Sequence, residues 1–409
     1  MEELTKSQKK AYDAILNGKE NIFLTGAAGT GKSFLIKKVR EKRNIPLISS
    51  TGSSAILIGG RTLHSFFGLG ILQGGIEATV KRALNNYKLM ERMVKTNELI
   101  IDEISMISGD VFMTADLIAR MAKRNPHVPF GGMRIIITGD FFQLPPITKD
   151  RNTDWVFQND SWEEANLQPY YLEEIVRTKD KEFMEILGNI RKGNLNKEVS
   201  EFLQSRKKKA KIPTAKLFAR RNAVINYNKR ELEDINEKLH IIETLYWGKE
   251  SSVKSIKRNA PVSEELHIKK NALVMIRIND QQQRYVNGSL GYVRRIENNL
   301  VVIKLLKGPV VTIEKHTFET FDGDGEVVAS ATNFPLSLAY AVTIHKSQGA
   351  TLDSATIDLK NLFEAGMAYV ALSRVKDPKY LFIEDFDIKS IYANKDVLAF
   401  YESLKHNKK

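Results

Sequence analysis

Asn21-Ile22-Phe23-Leu24-Thr25-Gly26-Ala27-Ala28-Gly29-Thr30-Gly31-Lys32-Ser33-Phe34-Leu35-Ile36-Lys37-Lys38-Val39 decides the fold. A short apolar run leads into a glycine-rich turn of the form G-x-x-x-x-G-K-[ST], and a helical pattern follows it. That strand–loop–helix context is what a phosphate cradle requires. Gly26, Gly29 and Gly31 let backbone amides approach phosphate without a Cβ in the way. A helix starting at Lys32 aims its positive dipole end at the same anion. Lys32 reaches the β- and γ-phosphates, and Ser33 holds Mg²⁺. A nucleoside triphosphate is expected here, on a parallel α/β sheet.

Composition narrows what the energy is used for. At 409 residues with 42% hydrophobic content, the chain is long enough for two or three domains with real cores. Lysine and arginine number 62 against 49 acids, a net charge of +13. Such a surplus suits a polyanionic partner or a soluble basic surface. The absence of cysteine excludes disulfides, iron–sulfur clusters and thiolate zinc sites. The seven histidines show no H-x-x-x-H pairing that would build a metal site. The first residues carry no apolar signal core, and no run is long enough to cross a bilayer, so a cytoplasmic protein without a membrane partner is expected.

From about residue 5 to 165, apolar runs alternate with helical patterns. Ile22–Leu24, Pro46–Ile48, Glu98–Ile101 and Met133–Ile137 are short, continuous and rich in β-branched residues, as buried parallel strands are. A second α/β pattern begins near Tyr171 and resumes after Phe334, with strands at Lys216–Phe218 and Ala355–Ile357. Between them, residues 271–331 read as short alternating strands separated by Asn287-Gly288, Asn298-Asn299, Gly308-Pro309 and Asp322-Gly-Asp-Gly325. That texture predicts a small antiparallel barrel inserted into the second α/β domain. The terminal Lys405-His-Asn-Lys-Lys409 reads as a frayed basic tail.

Asp102 and Glu103 follow the apolar run Leu99-Ile-Ile101, at the sheet edge where the phosphate loop lies. Asp102 suits the Mg²⁺ shell, and Glu103 suits polarising the attacking water. The next strand ends in Thr138-Gly-Asp-Phe-Phe-Gln-Leu-Pro-Pro146. Gln143 there can hydrogen-bond γ-phosphate or catalytic water, while Asp140 orients the loop. Arg177 and Arg374 stand as candidate fingers for transition-state charge, or as ordinary ion-pair residues. Gln8 has two readings: it closes a capping box with Thr5, or it reads an adenine edge.

Together these pieces resemble the superfamily 1B helicases, above all the Pif-type DNA helicases and their phage Dda-type and RecD-like relatives. The resemblance runs from Leu4 to about Ile383, with the motifs in the family's order. It rests on Gly26–Ser33, Ile101-Asp-Glu-Ile-Ser105, Pro129-Phe-Gly-Gly132 and Gly139–Pro146, then Ala341-Val-Thr-Ile-His-Lys-Ser-Gln-Gly-Ala-Thr351 and Tyr369-Val-Ala-Leu-Ser-Arg374. It implies two RecA-like P-loop domains, at 1–165 and at 166–228 with 332–409. It also implies a wedge insertion near 67–92 and an accessory domain at 229–331 containing an SH3-like β-barrel. ATP and Mg²⁺ are the implied cofactors, with Gly26, Ala27, Ala28, Gly29, Thr30, Gly31, Lys32, Ser33, Gly349 and an adenine-reading Gln8 on nucleotide. Ser33 and Asp102 would hold the metal. Lys32, Asp102, Glu103, Gln143, Arg177 and Arg374 would serve hydrolysis, the two arginines approaching from the second core domain. Single-stranded DNA would lie along Thr51, Gly52, His64, Ser65 and Phe66, then Thr343, His345, Lys346, Ser347 and Gln348. Phe66 could stack on a base or simply pack in the core.

The activity implied is ATP-driven 5′-to-3′ translocation on single-stranded DNA by a monomer, unwinding tailed or forked duplexes. G-quadruplexes or RNA–DNA hybrids are further candidate substrates. Replication, recombination, repair and telomere maintenance are the implied settings, at the nucleoid if the source is bacterial. An ATP-gated single-strand clamp that does not unwind is the alternative, and a P-loop ATPase acting on proteins or small molecules is the third.

Overall fold

The computed structural model describes residues 3–70, 72, 74–146, 153–280 and 282–406. The chain forms two units: Met1–Arg177 with Thr320–Val328 and Lys395–Lys409, and Thr178–Glu319 with Ala329–Asn394.

The first unit is built on a six-stranded parallel sheet in the order Arg61–Thr62, Leu47–Ser49, Glu98–Asp102, Arg134–Gly139, Ile22–Gly26, Gln168–Leu172. Ile22–Gly26 and Arg134–Gly139 are buried at every position, as strands covered on both faces must be. Alternate side chains serve opposite faces. Ile22 and Leu24 pack with Ala11 and Ile15 of the helix Lys6–Asn17 and with Leu35, Ile36 and Val39 of the helix Lys32–Lys42. Phe23 turns the other way into an aromatic cluster with Phe141, Trp162 and Phe400.

Two boundaries differ from the sequence expectation. Gln168–Leu172 lies past the expected end at 165, yet it pairs along Ile22–Gly26 as the sixth strand of the first sheet. It is a half-exposed edge strand, so no apolar run marks which sheet it joins. The helix Lys395–His406 groups with the first unit rather than with 332–394, because Phe400 and Tyr401 pack on Phe23, Phe141 and Phe142. Lys405 is therefore helical, and residues 407–409 of the expected tail lie outside the described residues.

The segment expected as a wedge carries the helices Gly75–Leu84 and Tyr87–Lys95, with residues 71 and 73 outside the described ones. Within the same unit, Arg92 donates to Phe66 O at 2.9 Å and pairs with Asp324, while Arg61 donates to Gly323 O.

The second unit has a four-stranded parallel sheet in the order Ala341–Thr343, Ala215–Phe218, Ala355–Leu359, Leu381–Phe386. It also holds a five-stranded antiparallel sheet, Val310–Glu314, Leu300–Leu305, Leu290–Ile296, Leu273–Ile276, Leu336–Leu338. The burial alternation of Leu300–Leu305 and Val310–Glu314 matches a sheet with one wet face. Val274, Ile276, Val293, Ile303, Ile313 and Phe334 form its core. The strands sit where the turn signals place them, and Leu336–Leu338, past the expected end at 331, completes the sheet. Among the described residues, no helix is long and apolar enough to cross a membrane.

Candidate functional site

The phosphate loop is held from three sides. Gly29 and Gly31 have φ of +84° and +83°, a region that costs other residues about 1 kcal/mol or more. A Cβ on Gly29 would lie 2.5 Å from Arg177 Cβ, and one on Gly31 would lie 2.5 Å from Gln8 Nε2. Val176 N and Arg177 N donate to Gly29 O at 2.8 and 3.1 Å. Gln8 does two things at once: its Oε1 accepts from Thr5 N in the capping box, and its Nε2 donates to Thr30 O at 2.9 Å. The capping side of the two readings is present, and it ties the first helix to the loop. Lys32 Nζ donates to Gly26 O at 2.8 Å and to Ala27 O at 3.2 Å, which places its ammonium at the loop mouth. Arg177 is the last residue of the first unit's opening segment, not a residue of the second domain as the resemblance implied.

Asp102 ends its strand at 7% exposure, and its Oδ1 accepts from Glu103 N at 3.0 Å. Burial, then the neighbouring Glu103 charge, pushes the Asp102 carboxyl up to about 7, against the pull of Lys32. Glu103 itself takes φ +55°, a left-handed backbone that a non-glycine residue holds only under constraint. Ser49, which pairs with Asp102, and Ser105 place buried hydroxyls at the same carboxyl edge with no hydrogen-bond partner among the described residues. Buried polar atoms left unsatisfied ask for a partner. A divalent cation with phosphate oxygens fits this edge: the desolvated Asp102 gains a counter-charge, and Ser33 lies at the start of its helix. No cluster of three or more protein metal ligands exists among the described residues, so Mg²⁺ would take the rest of its shell from phosphate and water, as it commonly does.

The loop after Arg134–Gly139 is organised by Asp140, which is fully buried and whose Oδ1 accepts from Phe142 N at 3.2 Å. Gln143 follows at 6% exposure, its amide bound to Asp140 O. Sequence reasoning missed the residue that holds this loop from behind. Tyr401 Oη lies 2.8 Å from Thr25 Oγ1, accepts from Phe141 N at 3.3 Å, and donates to Asp140 Oδ1 at 3.4 Å. Its ring stacks on Phe142 at 4.8 Å and 14°. One hydroxyl thus joins the strand leading into the phosphate loop to the loop bearing Gln143. No motif marks Tyr401; the apolar side of a terminal helix was the sole signal.

The expected single-strand contacts divide between the units. In the first, Thr51 caps the helix Gly52–Leu57, accepting from Ser54 N, and Ser65 donates its amide to Thr62 Oγ1. His64 is half-buried, and burial holds its imidazole below the usual range. Phe66 is a correction. It is 0% exposed, packed edge-on against Phe67 with Arg61 and Arg92 over its ring, so it is a core residue and not a stacking platform. In the second unit, Thr343 caps the helix Ile344–Ser347, His345 faces Glu364 at 3.3 Å, and Lys346 is exposed. Ser347 is buried with its hydroxyl on Ile344 O, and Gln348 and Gly349 follow, the latter at φ +76°. Arg374, 1% exposed, donates Nε to Val370 O at 2.7 Å and Nη1 to Ser347 O and Ala350 O at 3.4 and 3.5 Å. It braces the segment on which the second set of contacts is expected.

Comparison with known proteins supplies what geometry alone does not. A family model described as PIF1-like helicase matches residues 3–201, and a second, described as Helicase, matches residues 273–405. The ATP-dependent DNA helicase Pif1 of Bdellovibrio bacteriovorus is 42% identical over 98% of this chain and 92% of its own length. The ATP-dependent DNA helicase PIF1 of Xenopus laevis is 36% identical over 98% of this chain, which spans 64% of that longer protein. The crystal structure of Bacteroides sp Pif1 in complex with ADP-AlF4 superimposes with a TM-score of 0.86 at 29% identity, covering 100% of this chain and 98% of that one. Bacteroides Pif1 bound to single-stranded DNA does so with a TM-score of 0.66 at 28% identity, over the same shares. The chain therefore belongs to the PIF1-like helicase family and is, with it, a helicase and an ATP hydrolase.

Proposed function

We propose that this chain couples ATP hydrolysis to 5′-to-3′ movement along single-stranded DNA and unwinds tailed or forked duplexes. The observation that carries the proposal is the phosphate loop bound at once by Gln8, Val176 and Arg177, with Lys32 acting on the buried Asp102 beside Glu103. In this reading Gln8 reports the adenine end, Lys32 holds the β- and γ-phosphates, and Glu103 takes the proton of the attacking water. Mg²⁺, held by Ser33 and Asp102, would supply charge neutralisation at the phosphates. Gln143 senses the γ-phosphate, and Asp140 with Tyr401 keeps it on a rigid loop. Arg374 stabilises transition-state charge and, through Ser347 O and Ala350 O, communicates with the DNA-contacting helix Ile344–Ser347. The DNA partner is supported by the single-strand-bound Bacteroides relative and by the surplus of 62 basic over 49 acidic residues.

A panel of duplexes carrying a 5′ tail, a 3′ tail or neither tests this directly. Unwinding from the 5′ tail, dependent on ATP, is expected. Unwinding from the 3′ tail alone overturns the polarity. DNA-stimulated hydrolysis with no strand separation on any substrate replaces the helicase by the clamp.

A further inference from the structure

The second unit buries a cation with no anion beside it. Arg277, directly after the strand Leu273–Ile276, is 7% exposed. Its Nη1 donates to Met275 Sδ at 3.1 Å, and a thioether is a weak acceptor. Among the described residues no carboxylate pairs with it, although burying an unpaired charge is costly. Two more cations leave one sheet end: Thr343 pairs with Phe218 on parallel strands, and Lys346 and Arg221 each follow three residues beyond. Lys346 is exposed as a whole residue, yet partial desolvation of its ammonium and the charges of Arg277 and Arg221 hold it below the ordinary lysine range, and burial takes Arg277 down to about 10. Arg221 opens the helix Arg221–Glu233, whose first turn carries no acid, so the positive helix end is met by a positive residue. The backbone fixes this cluster. Arg277 N donates to Pro335 O at 2.8 Å, and Leu273–Ile276 pairs with Leu336–Leu338, from which the chain runs on into Ala341–Thr343 and the helix bearing Lys346. The turn at Gly288 presses on Thr351, where a Cβ would come within 2.4 Å of its carbonyl oxygen.

We propose that Arg277, with Arg221 and Lys346, forms a phosphate-binding station for the DNA backbone, the antiparallel sheet supplying the buried member. This rests on the DNA-translocating reading above. A phosphodiester accepts from a guanidinium fork, supplies the missing anion, answers the helix end at Arg221 and needs no base identity. Nothing in the cluster reads sequence, as a moving motor requires.

Binding of a labelled oligothymidylate to the full chain, measured across a salt series, tests the station. Arg277→Gln is expected to weaken binding roughly tenfold and to shrink the slope of log affinity against log salt by about 0.7, the share of one single-strand phosphate contact. Arg277→Lys should recover most of the slope. The Gln variant should melt no lower than the parent, because it removes an unpaired buried charge. An unchanged slope together with a lower melting temperature makes Arg277 a structural residue and overturns the station. Lost affinity for a fluorescent ADP with an unchanged DNA slope assigns the anion to nucleotide and overturns it equally. If the parent chain binds no oligothymidylate, the helicase reading itself fails; if the parent binds and the Gln variant matches it, the station alone fails.

Discussion

The first unit buries an acid beside a second, half-buried one, and the second unit buries a lone base. Asp102, 7% exposed, sits beside Glu103 and is helped by Lys32; Arg277, equally buried, has a methionine sulfur for a partner. Asp102 is crowded by a like charge that Lys32 only partly offsets, and Arg277 has no carboxylate partner among the described residues, each at the end of a strand of its own sheet. Arg374 shows what a satisfied buried charge looks like: four hydrogen bonds from its guanidinium, on Val370 O, Ser347 O, Ala350 O and Ser373 Oγ. The contrast separates a buried charge that the protein itself satisfies from buried charges that it leaves under-compensated. The acid pair is fit for a cation with phosphates, the lone base for a polyanion.

Arg374→Ala should break the satisfied case in two ways. Turnover should fall about a thousandfold with the KM for ATP little changed, as expected of a finger. The melting temperature should drop as well, since carbonyls lose their donor in the core. Steady-state hydrolysis and thermal melting read both; a large rise in KM with normal turnover refutes the finger. Asp102→Asn sharpens the under-compensated case. Hydrolysis should fall on the order of a hundredfold while the melting temperature rises by a few degrees, because a desolvated acid next to Glu103 is replaced by a neutral amide. A melting temperature that falls would place Asp102 among the fold-keeping residues. The smallest effect is expected from Tyr401→Phe, which keeps the stack on Phe142 and removes the hydroxyl that joins Thr25 to Asp140. Turnover should fall several-fold at constant KM, and stimulation by single-stranded DNA should weaken, for a stability loss of about 1 kcal/mol. If stability falls and the kinetics stay put, Tyr401 only packs.

Much of this was legible in the chain. Gly26–Ser33 announces its strand, turn and helix, and the acid pair follows a run that can only be a buried strand. The antiparallel sheet is legible because turn residues punctuate alternating strands. Illegible features depend on partners far along the chain. Tyr401 meets Thr25 across 376 residues, and nothing local in a terminal helix says which sheet it covers. Phe66 lies in the five-residue helix Leu63–Phe67, too short for a period to reveal its buried face. Arg277 is a single basic residue after a strand, and only burial sets it apart from the many on the surface.

Lys395–His406 belongs to a unit whose other main segment ended at Arg177. The second unit is thus an insert with both ends planted in the first. During synthesis the insert can close on itself as soon as it emerges, while the first sheet waits with Phe23, Phe141 and Trp162 uncovered until Phe400 arrives. The catalytic unit, first to be made, is the last to be finished, and a ribosome stalled late on this message would leave a loop-bearing sheet with an open aromatic face.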